Sequence, residues 1–438
     1  MVKFTFKGGI HIHGANKKKK LTTKAEAPVS EFTAAKLVYL PLGQQLGKPS
    51  IPVVTIGDTV KVGQLIAKGD GAFSSNLHAS VSGTILKIEN HPEPTGNVSP
   101  TIIIENDEKN QWISLTETPR GTDLTREAIV EKIAEAGIVG LGGATFPTPV
   151  KYTSDKPCDM VLLNGIECEP YNTADCITMK NHPDEIIQGL VYLVKAANAK
   201  KGVICIEDNK MDIYKIFDKK TKNLDSIFVA LFKEKYPQGA EKQMIYALTK
   251  KEVPYGGLPI DIGVIVNNVG TAKAVCDAIE KGKTLTHHYV TVTGDALKTP
   301  KSFLIPIGTP FKDLIDACGG GLDNQVLLAG GLMMGKAMYS EMVPVTKGIN
   351  AIILLKNLPK KTKEMNCVRC SACVDKCPAF LEPTTLATLV KKGKVDELEN
   401  NGLSACIECG SCSYVCPSAI PLLDYIRQGK IELRRRKK

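Results

Sequence analysis

The feature that most constrains this chain is a repeated pattern of cysteines near its carboxyl end. The spacing Cys-x2-Cys-x2-Cys-x3-Cys-Pro occurs twice, once from Cys367 to Pro378 and once from Cys406 to Pro417. Two-residue gaps allow three thiolates of one loop to bind three corners of a cubane, and the Cys-Pro turn carries a fourth thiolate away from that loop. We therefore predict two [4Fe-4S] clusters in this part of the chain.

The fourth cysteine of each run is expected to bind the cluster of the other run. The predicted ligands are Cys367, Cys370, Cys373 and Cys416 for cluster 1, and Cys406, Cys409, Cys412 and Cys377 for cluster 2. Structural zinc, which also uses Cys-x2-Cys pairs, is the alternative. Zinc sites need four ligands with one spacer, whereas here a triplet plus Cys-Pro occurs twice, so the pattern favours iron–sulfur clusters over zinc. The crossed ligation would place the two clusters close enough for one-electron hopping.

The remainder of the chain is long and globular in composition. Its 438 residues are 43% hydrophobic and 23% charged, which is typical of about three folded domains. No apolar run approaches the ~20 residues of a membrane-spanning helix, and the amino-terminal sequence lacks a signal-peptide core. We expect no membrane span and no signal peptide, and a reducing, cytoplasmic location.

Six scattered cysteines are expected to be mostly buried, reduced thiols: Cys158, Cys168, Cys176, Cys205, Cys276 and Cys318.

The net charge of +10 is concentrated in two basic runs, residues 17–20 and 434–438. Such runs are usually solvated, and the functional alternative is attraction to an anionic membrane surface or an acidic partner. No aromatic platform or groove-reading helix accompanies them, so nucleic acid is not an expected partner.

The predicted fold class is multidomain, α/β plus β. Residues 50–105 alternate short β-branched stretches with glycine turns and are similar to a lipoyl-type barrel sandwich, although no lysine stands at the tip between Ala79 and Gly83. Alternating strands and helices then predict an α/β domain, followed by short strands around one helix that predict a β-grasp. The predicted boundaries are 1–120 for the barrel sandwich, 121–285 for the α/β domain, 286–356 for the β-grasp and 357–438 for the cluster domain.

Three polar segments of the α/β domain are candidates for a nucleotide or flavin site. A glycine-rich loop spans residues 140–151, and two further segments, residues 164–170 and 267–271, follow predicted strands. Glycines allow backbone N–H groups to approach phosphates or a flat ring, and α/β folds bind ligands at the carboxyl ends of strands. A glycine turn that merely ends a helix is the alternative for the first segment.

Four segments of this domain together resemble a known family. They are GLGGATFPTPVK (140–151), NGIECEP (164–170), YPQGAEK (236–242) and NNVGT (267–271). They are similar to the flavin- and NADH-binding subunit of respiratory complex I. With FKGGIH (6–11), the barrel sandwich, the β-grasp SLBB domain and the double cysteine motif, the whole chain resembles the C subunit of the Rnf complex, the membrane-bound ion-translocating ferredoxin:NAD oxidoreductase.

The resemblance implies non-covalent FMN, NAD(H) as substrate and a set of cofactor-binding residues. Those implied to line FMN are Gly140, Gly142, Gly143, Asn164, Asn267 and Asn268, with Tyr236, Gly239 and Glu241 on a further flavin-side segment. Those implied to face NAD or the flavin edge are Phe146, Lys151, Glu167 and Glu169. The chain departs from the family pattern at Leu141, Thr145 and Cys168.

The implied activity is hydride exchange between NAD(H) and FMN, with single electrons passing through the two clusters. The implied partners are other subunits of a membrane Rnf complex, including a ferredoxin-like cluster-binding subunit, with this chain peripheral on the cytoplasmic side. One alternative is an electron-relay module without flavin or NAD catalysis. Another is a microcompartment cobalamin reductase, in which the barrel sandwich lies towards the carboxyl end instead of first. His11 and His13 lack a nearby third ligand and are taken as structural.

Overall fold

The computed structural model describes residues 2–12, 29–30, 32–323, 325–356 and 363–436. Its first strand, β1 (Lys3–Phe4), pairs with a strand of the α/β region. The strands that follow form two small antiparallel sheets: β2 (Leu37–Pro41), β3 (Ile51–Pro52), β4 (Thr59–Val60), β5 (Leu65–Lys68), β6 (Leu77–His78), β7 (Gly83–Pro92) and β8 (Val98–Asn106). The larger sheet has the order β2-β8-β7-β4 and the smaller has the order β3-β5-β6.

The two small sheets form the predicted barrel sandwich because their β-branched residues alternate between faces. Val38 pairs with Ile104, and Leu40 pairs with Ile102, and all four side chains are fully buried. Gly83 begins β7 with φ of +154°, and a Cβ there would lie 1.9 Å from the Glu105 carbonyl oxygen. Only glycine fits at this crossing of β7 and β8.

The α/β region is built on a parallel sheet. Its elements are α1 (Arg126–Glu135), β9 (Met160–Gly165), α2 (Ala174–Asn181), α3 (Pro183–Ala196), β10 (Lys201–Glu207), α4 (Met211–Thr221), β11 (Ile227–Phe232), α5 (Glu241–Thr249), β12 (Val264–Asn268) and α6 (Val269–Lys281), with 3-10 turns at Thr148–Tyr152 and Pro259–Ile262. Thr125 caps α1 by accepting a hydrogen bond from the Ala128 N–H.

The strand order of this sheet is β1-β11-β10-β9-β12. From β9 the chain proceeds outward to β10 and β11, and then returns to place β12 on the other side of β9. The direction of winding therefore reverses between β9 and β12. Such a switch point leaves a crevice at the carboxyl ends of the two strands, where α/β folds bind ligands.

The next region is a β-grasp. It contains β13 (His287–Thr293), β14 (Lys301–Pro306), α7 (Phe311–Ala317), β15 (Val326–Ala329), β16 (Lys336–Met338) and β17 (Ala351–Leu355). The sheet order is β14-β13-β17-β15-β16, with β13 and β17 parallel. Phe311, Leu314 and Ile315 of α7 share one buried apolar cluster with residues of the sheet.

The cysteine-rich region is helical. It contains α8 (Ala372–Asp375), α9 (Pro383–Lys391), α10 (Ser411–Tyr414) and α11 (Leu422–Arg436), with 3-10 turns at Val395–Glu397 and Leu403–Ala405. The helix α11 packs across α9, and a Cβ at Gly429 would lie 2.7 Å from the Val390 side chain. Of the helices in the described ranges, none combines the length and apolarity needed to cross a bilayer.

The carboxyl-terminal basic run is partly ordered on a helix. The basic run 434–438 begins on α11, where Arg436 forms ion pairs with Asp396 (3.1 Å) and Glu432 (3.7 Å). The other basic run, residues 17–20, and His13 lie outside the described residues.

Candidate functional site: a cavity backed by the cysteine loops

A cavity of about 630 Å³ opens at the switch point between β9 and β12. This volume is within the usual range of cofactor sites. The structure brings all thirteen predicted cofactor-binding residues to its lining: Gly140, Gly142, Gly143, Phe146, Lys151, Asn164, Glu167, Glu169, Tyr236, Gly239, Glu241, Asn267 and Asn268. Their contacts with a flavin or dinucleotide stay a prediction.

The glycine loop forms one wall. It begins after Gly137, which ends α1 at φ of +66°, and it closes with a hydrogen bond from the Gly140 N–H to the Phe146 carbonyl oxygen (2.9 Å). Gly142 has φ of +70°, whereas a Cβ on Gly143 would meet no atom within 4 Å. The loop therefore presents bare backbone to open space in the cavity, a cradle that a side chain would fill.

The strand ends form the floor. The Asn164 amide donates to the Gly239 carbonyl oxygen (2.8 Å), and Asn268 caps α6 by accepting from the Gly270 N–H (2.7 Å). The Asn267 amide donates to the Tyr152 hydroxyl (2.6 Å), but its Oδ1 atom is buried without a partner. A buried, unpaired acceptor is costly unless a ligand donates to it.

Charged side chains are also held at this site. The Lys151 ammonium donates to the Val266 carbonyl oxygen (2.6 Å), and burial lowers the pKa of Lys151. Asp175, which sequence reasoning missed, accepts from the Asn268 amide (2.9 Å). Burial and the charge of Glu167 raise the pKa of Asp175. The site therefore combines a basic group with a carboxyl whose protonated form is favoured.

Glu169 connects the cavity to the β-grasp. Its carboxylate accepts from the backbone N–H groups of Met333 (2.9 Å) and Met334 (3.1 Å). A Cβ on Gly331 would lie 2.4 Å from the Glu169 side chain. Both carboxylate oxygens of Glu169 thus hold the loop between β15 and β16.

Tyr236 connects the cavity to the cysteine loops. It lines the cavity, and its buried hydroxyl donates to the Cys409 carbonyl oxygen (2.8 Å). The Ile10 N–H donates to the Tyr236 carbonyl oxygen (2.7 Å), and the Gln243 amide donates to the Pro378 carbonyl oxygen (3.2 Å). The loops of cluster 2 therefore lie directly behind the cavity wall.

Some of the thiols predicted to bind cluster 2 are close enough to influence one another electrostatically, and their ligation stays a prediction. Burial and the neighbouring thiols of Cys409, Cys406 and Cys377 raise the pKa of Cys412 to about 12. Burial and the thiols of Cys409 and Cys377 likewise raise the pKa of Cys406. Cys377, from the first run, also shares an apolar cluster with Cys406 of the second run.

The predicted ligands of cluster 1 lie further out. Cys373 and Cys416 border one apolar cluster, whereas Cys367 and Cys370 are exposed. All eight cysteines are free thiols, and backbone N–H groups donate to the Sγ atoms of Cys367, Cys377 and Cys406 at 3.4 Å. Within the described ranges, no three His, Cys, Asp or Glu side chains are grouped to hold a single metal ion.

The residues present fit the implied groups. For clusters, the fit is a set of eight reduced thiols with N–H donors to sulfur, which is the usual environment of iron–sulfur sites. For a flavin, the fit is the glycine cradle together with the unpaired Asn267 oxygen. Among the other six cysteines, Cys158, Cys205, Cys276 and Cys318 are buried as expected, while Cys168 and Cys176 are partly exposed.

Four family models match successive parts of the chain. They describe an RnfC barrel sandwich hybrid domain (residues 4–109), a Nuo51 FMN-binding domain (133–277), an SLBB domain (289–337) and a 4Fe-4S dicluster domain (359–431). The predicted fold class and the predicted order of its parts are confirmed.

The family is shown by relatives that match this chain over most of its length. The chain is 42% identical to the C subunit of the proton-translocating ferredoxin:NAD(+) oxidoreductase complex of Clostridium ljungdahlii, over 90% of this chain and 86% of that one. This chain belongs to the RnfC family. The C subunit of the Na(+)-translocating ferredoxin:NAD(+) oxidoreductase complex of Acetobacterium woodii is 41% identical, over 91% of this chain and 90% of that one. The C subunit of the ion-translocating oxidoreductase complex of Rhodobacter capsulatus is 36% identical, over 99% of this chain and 85% of that one. The RnfC architecture places the barrel sandwich first, which argues against the cobalamin reductase alternative.

Proposed function

We propose that this RnfC-family chain exchanges hydride between NAD(H) and FMN, and passes single electrons through two [4Fe-4S] clusters to other subunits of an ion-translocating ferredoxin:NAD oxidoreductase complex. The observation that carries the proposal is Tyr236, which lines the cavity and hydrogen-bonds to the backbone of Cys409. Under this proposal, the flavin site and the nearer cluster would lie on either side of the Tyr236 side chain.

The chain's own residues would bind and orient the cofactors. Gly140, Gly142 and Gly143 leave room for a flat ring, and the amides of Asn164, Asn267 and Asn268 supply donors and acceptors at the strand ends. FMN, when bound, supplies the exchange of two electrons for single electrons. Asp175, whose pKa is raised by burial and by Glu167, is placed to hold a proton at the cavity wall.

The order of the cysteine loops suggests a direction of transfer within the molecule. The loops of cluster 2 lie against the cavity wall, and the loop of cluster 1 reaches the surface. Residues 365–371 are exposed, and Met365 and Val368 present apolar side chains beside Cys367 and Cys370. We propose that the cluster-binding partner docks on this loop, on the cytoplasmic side of the membrane.

The test uses the anaerobically reconstituted chain with FMN added. NADH should bleach the flavin absorbance, and reduced-cluster signals should then appear by electron paramagnetic resonance. If the protein contains iron and sulfide but neither retains FMN nor reacts with NADH, the electron-relay alternative is correct and the proposal fails. One zinc per chain without acid-labile sulfide would overturn the clusters themselves.

The Tyr236→Phe variant tests the connection between the cavity and cluster 2. It removes the hydroxyl and leaves the Cys409 carbonyl oxygen unpaired in a buried place, at a cost of about 1–3 kcal/mol. We expect FMN binding to be retained and flavin-to-cluster electron transfer to slow several-fold in rapid-mixing experiments. Wild-type transfer rates in this variant would show that the contact is not on the route.

A further inference from the structure

The barrel sandwich contributes one aromatic side chain to the cavity. Phe73, on the loop between β5 and β6, lines the cavity although its side chain belongs to a region outside the flavin-binding fold. Its ring lies edge-on to that of Phe146, with centroids 5.8 Å apart and an interplanar angle of 81°. Phe73 is nevertheless 53% exposed, so part of the ring is available to a ligand.

The loop that carries Phe73 is fixed on both sides. The Phe73 carbonyl oxygen accepts from the Lys48 N–H (2.9 Å). The Ser75 hydroxyl donates to the Gly137 carbonyl oxygen (3.1 Å) at the end of α1. A Cβ on Gly47 would lie 1.9 Å from the Phe73 carbonyl oxygen, so only glycine allows this approach. The Leu46 N–H also donates to the Thr145 carbonyl oxygen (3.1 Å), which joins the barrel sandwich to the glycine loop.

Phe73 lies where we expect the adenosine half of a bound dinucleotide. Hydride exchange requires the nicotinamide to lie against the flavin, beside the polar strand ends. The adenosine half must then extend towards the exposed part of the cavity lining, which includes Phe73 and Leu258. A nucleobase stacks favourably on an aromatic ring.

We propose that Phe73 stacks against the adenine ring of the bound dinucleotide, so that the barrel sandwich acts as part of the NAD(H) site. This inference depends on the proposed function. It gives a binding role to a region that has the shape of a carrier domain but no lysine at its tip.

The test compares ligands that share the adenosine half. The FMN-loaded, oxidised protein is titrated calorimetrically with NAD+ and with ADP-ribose, in wild type and in Phe73→Ala. We expect the dissociation constants of both ligands to rise by the same factor, about tenfold. Phe73→Tyr should keep wild-type affinity, and Ile56→Ala, an exposed apolar change elsewhere in the same region, should have no effect. FMN content should be equal in all four proteins.

Two outcomes would overturn the inference alone. One is unchanged affinity in Phe73→Ala, and the other is a weakening of NAD+ that ADP-ribose does not share. If FMN-loaded wild type binds neither ligand, the proposed function fails instead.

Discussion

Gly143 shows how a single position can determine whether the cavity accepts a flat cofactor. Its backbone conformation is one that alanine can adopt, and a Cβ there would contact no protein atom within 4 Å. A methyl group at this position would project into space that the protein leaves open. A substitution there therefore tests the site without disturbing the fold.

We expect Gly143→Ala to weaken FMN binding about tenfold, because a methyl group overpacked against a bound ring costs about 1–3 kcal/mol. The measurement is the dissociation constant of FMN from quenching of its fluorescence. Gly43→Ala is the matched control, since its nearest contact is Pro49 at 4.0 Å and it does not line the cavity. Equal FMN affinity in the two variants would place the ring elsewhere.

Residue type and position after a strand predicted two polar segments of the cavity lining, whereas the segment that contains Tyr236 was predicted only from the family resemblance. Asn164, Asn267 and Asn268 come together because parallel strands end at one edge of a sheet. Asp175 and Phe73 were missed because each comes from an element that carries no motif of its own. Asp175 and Phe73 reach the cavity because of how α2 and the barrel sandwich pack, and such packing cannot be predicted from local sequence.

Among the elements, the amino-terminal segment has a role that its sequence does not reveal. Residues 3–10 add β1 to the parallel sheet and then lie against the first cysteine loop. The Gly9 N–H donates to the Lys376 carbonyl oxygen (3.0 Å), and a Cβ on Gly8 would lie 2.9 Å from the Cys377 carbonyl oxygen. This segment therefore joins the cluster region to the α/β sheet.

We expect Gly9→Ala to loosen this junction. Gly9 has φ of +74°, and a Cβ would lie 2.6 Å from the Tyr236 carbonyl oxygen, so the substitution should destabilise the chain by more than about 1 kcal/mol. Thermal unfolding should show the loss, and flavin-to-cluster transfer should slow while FMN affinity is kept. Gly96→Ala has a similar φ of +87° but open space around it, so it controls for backbone strain alone. If both variants behave alike, the close approach to Tyr236 has no effect of its own.

Helix α11 illustrates a limit of sequence reasoning at this scale. In the sequence, the end of this helix is recognisable only as part of a basic run, which includes Arg434, Arg435 and Arg436. The buried face of the helix, with Leu422 and Ile426, packs against α9. Tertiary packing therefore decides the structure of this segment.

At the scale of the whole molecule, the regions are joined by buried polar contacts. The Lys347 ammonium, on the segment that leads into β17, is 1% exposed and donates to the carbonyl oxygens of Asn76 (2.9 Å) and Gly137 (2.8 Å). One side chain thus holds the barrel sandwich, the end of α1 and the β-grasp together. Periodicity and motifs predicted the separate regions, but these contacts between regions were not predictable from local sequence.

Buried histidines at the same junctions should make stability depend on pH. Burial lowers the pKa of His287 to about 4 and that of His78 to about 3, whereas both titrate near ~6.5 in an unfolded chain. Below about pH 6.5 the unfolded chain binds more protons than the folded one. We therefore expect stability to fall as the pH drops from about 6.5 towards 4.

The His287→Gln variant should lose part of this acid sensitivity. Trp112, the one tryptophan of the sequence, stacks on His287 with centroids 6.1 Å apart, so its fluorescence reports on this junction. The measurement is the urea midpoint at pH 7.5 and pH 5 in both proteins. An equal drop in the two would assign the acid sensitivity to other groups.

The exposure of Cys367 and Cys370 has a practical consequence for anyone who handles the isolated chain. Dissolved oxygen can reach these two predicted ligands directly, whereas Cys409 of the other loop is buried against Tyr236 and Ile10. Brief aeration should therefore degrade one cubane well before its neighbour. Preparations made in air would contain about half the expected iron, and they would still accept electrons from the nucleotide side without passing them on.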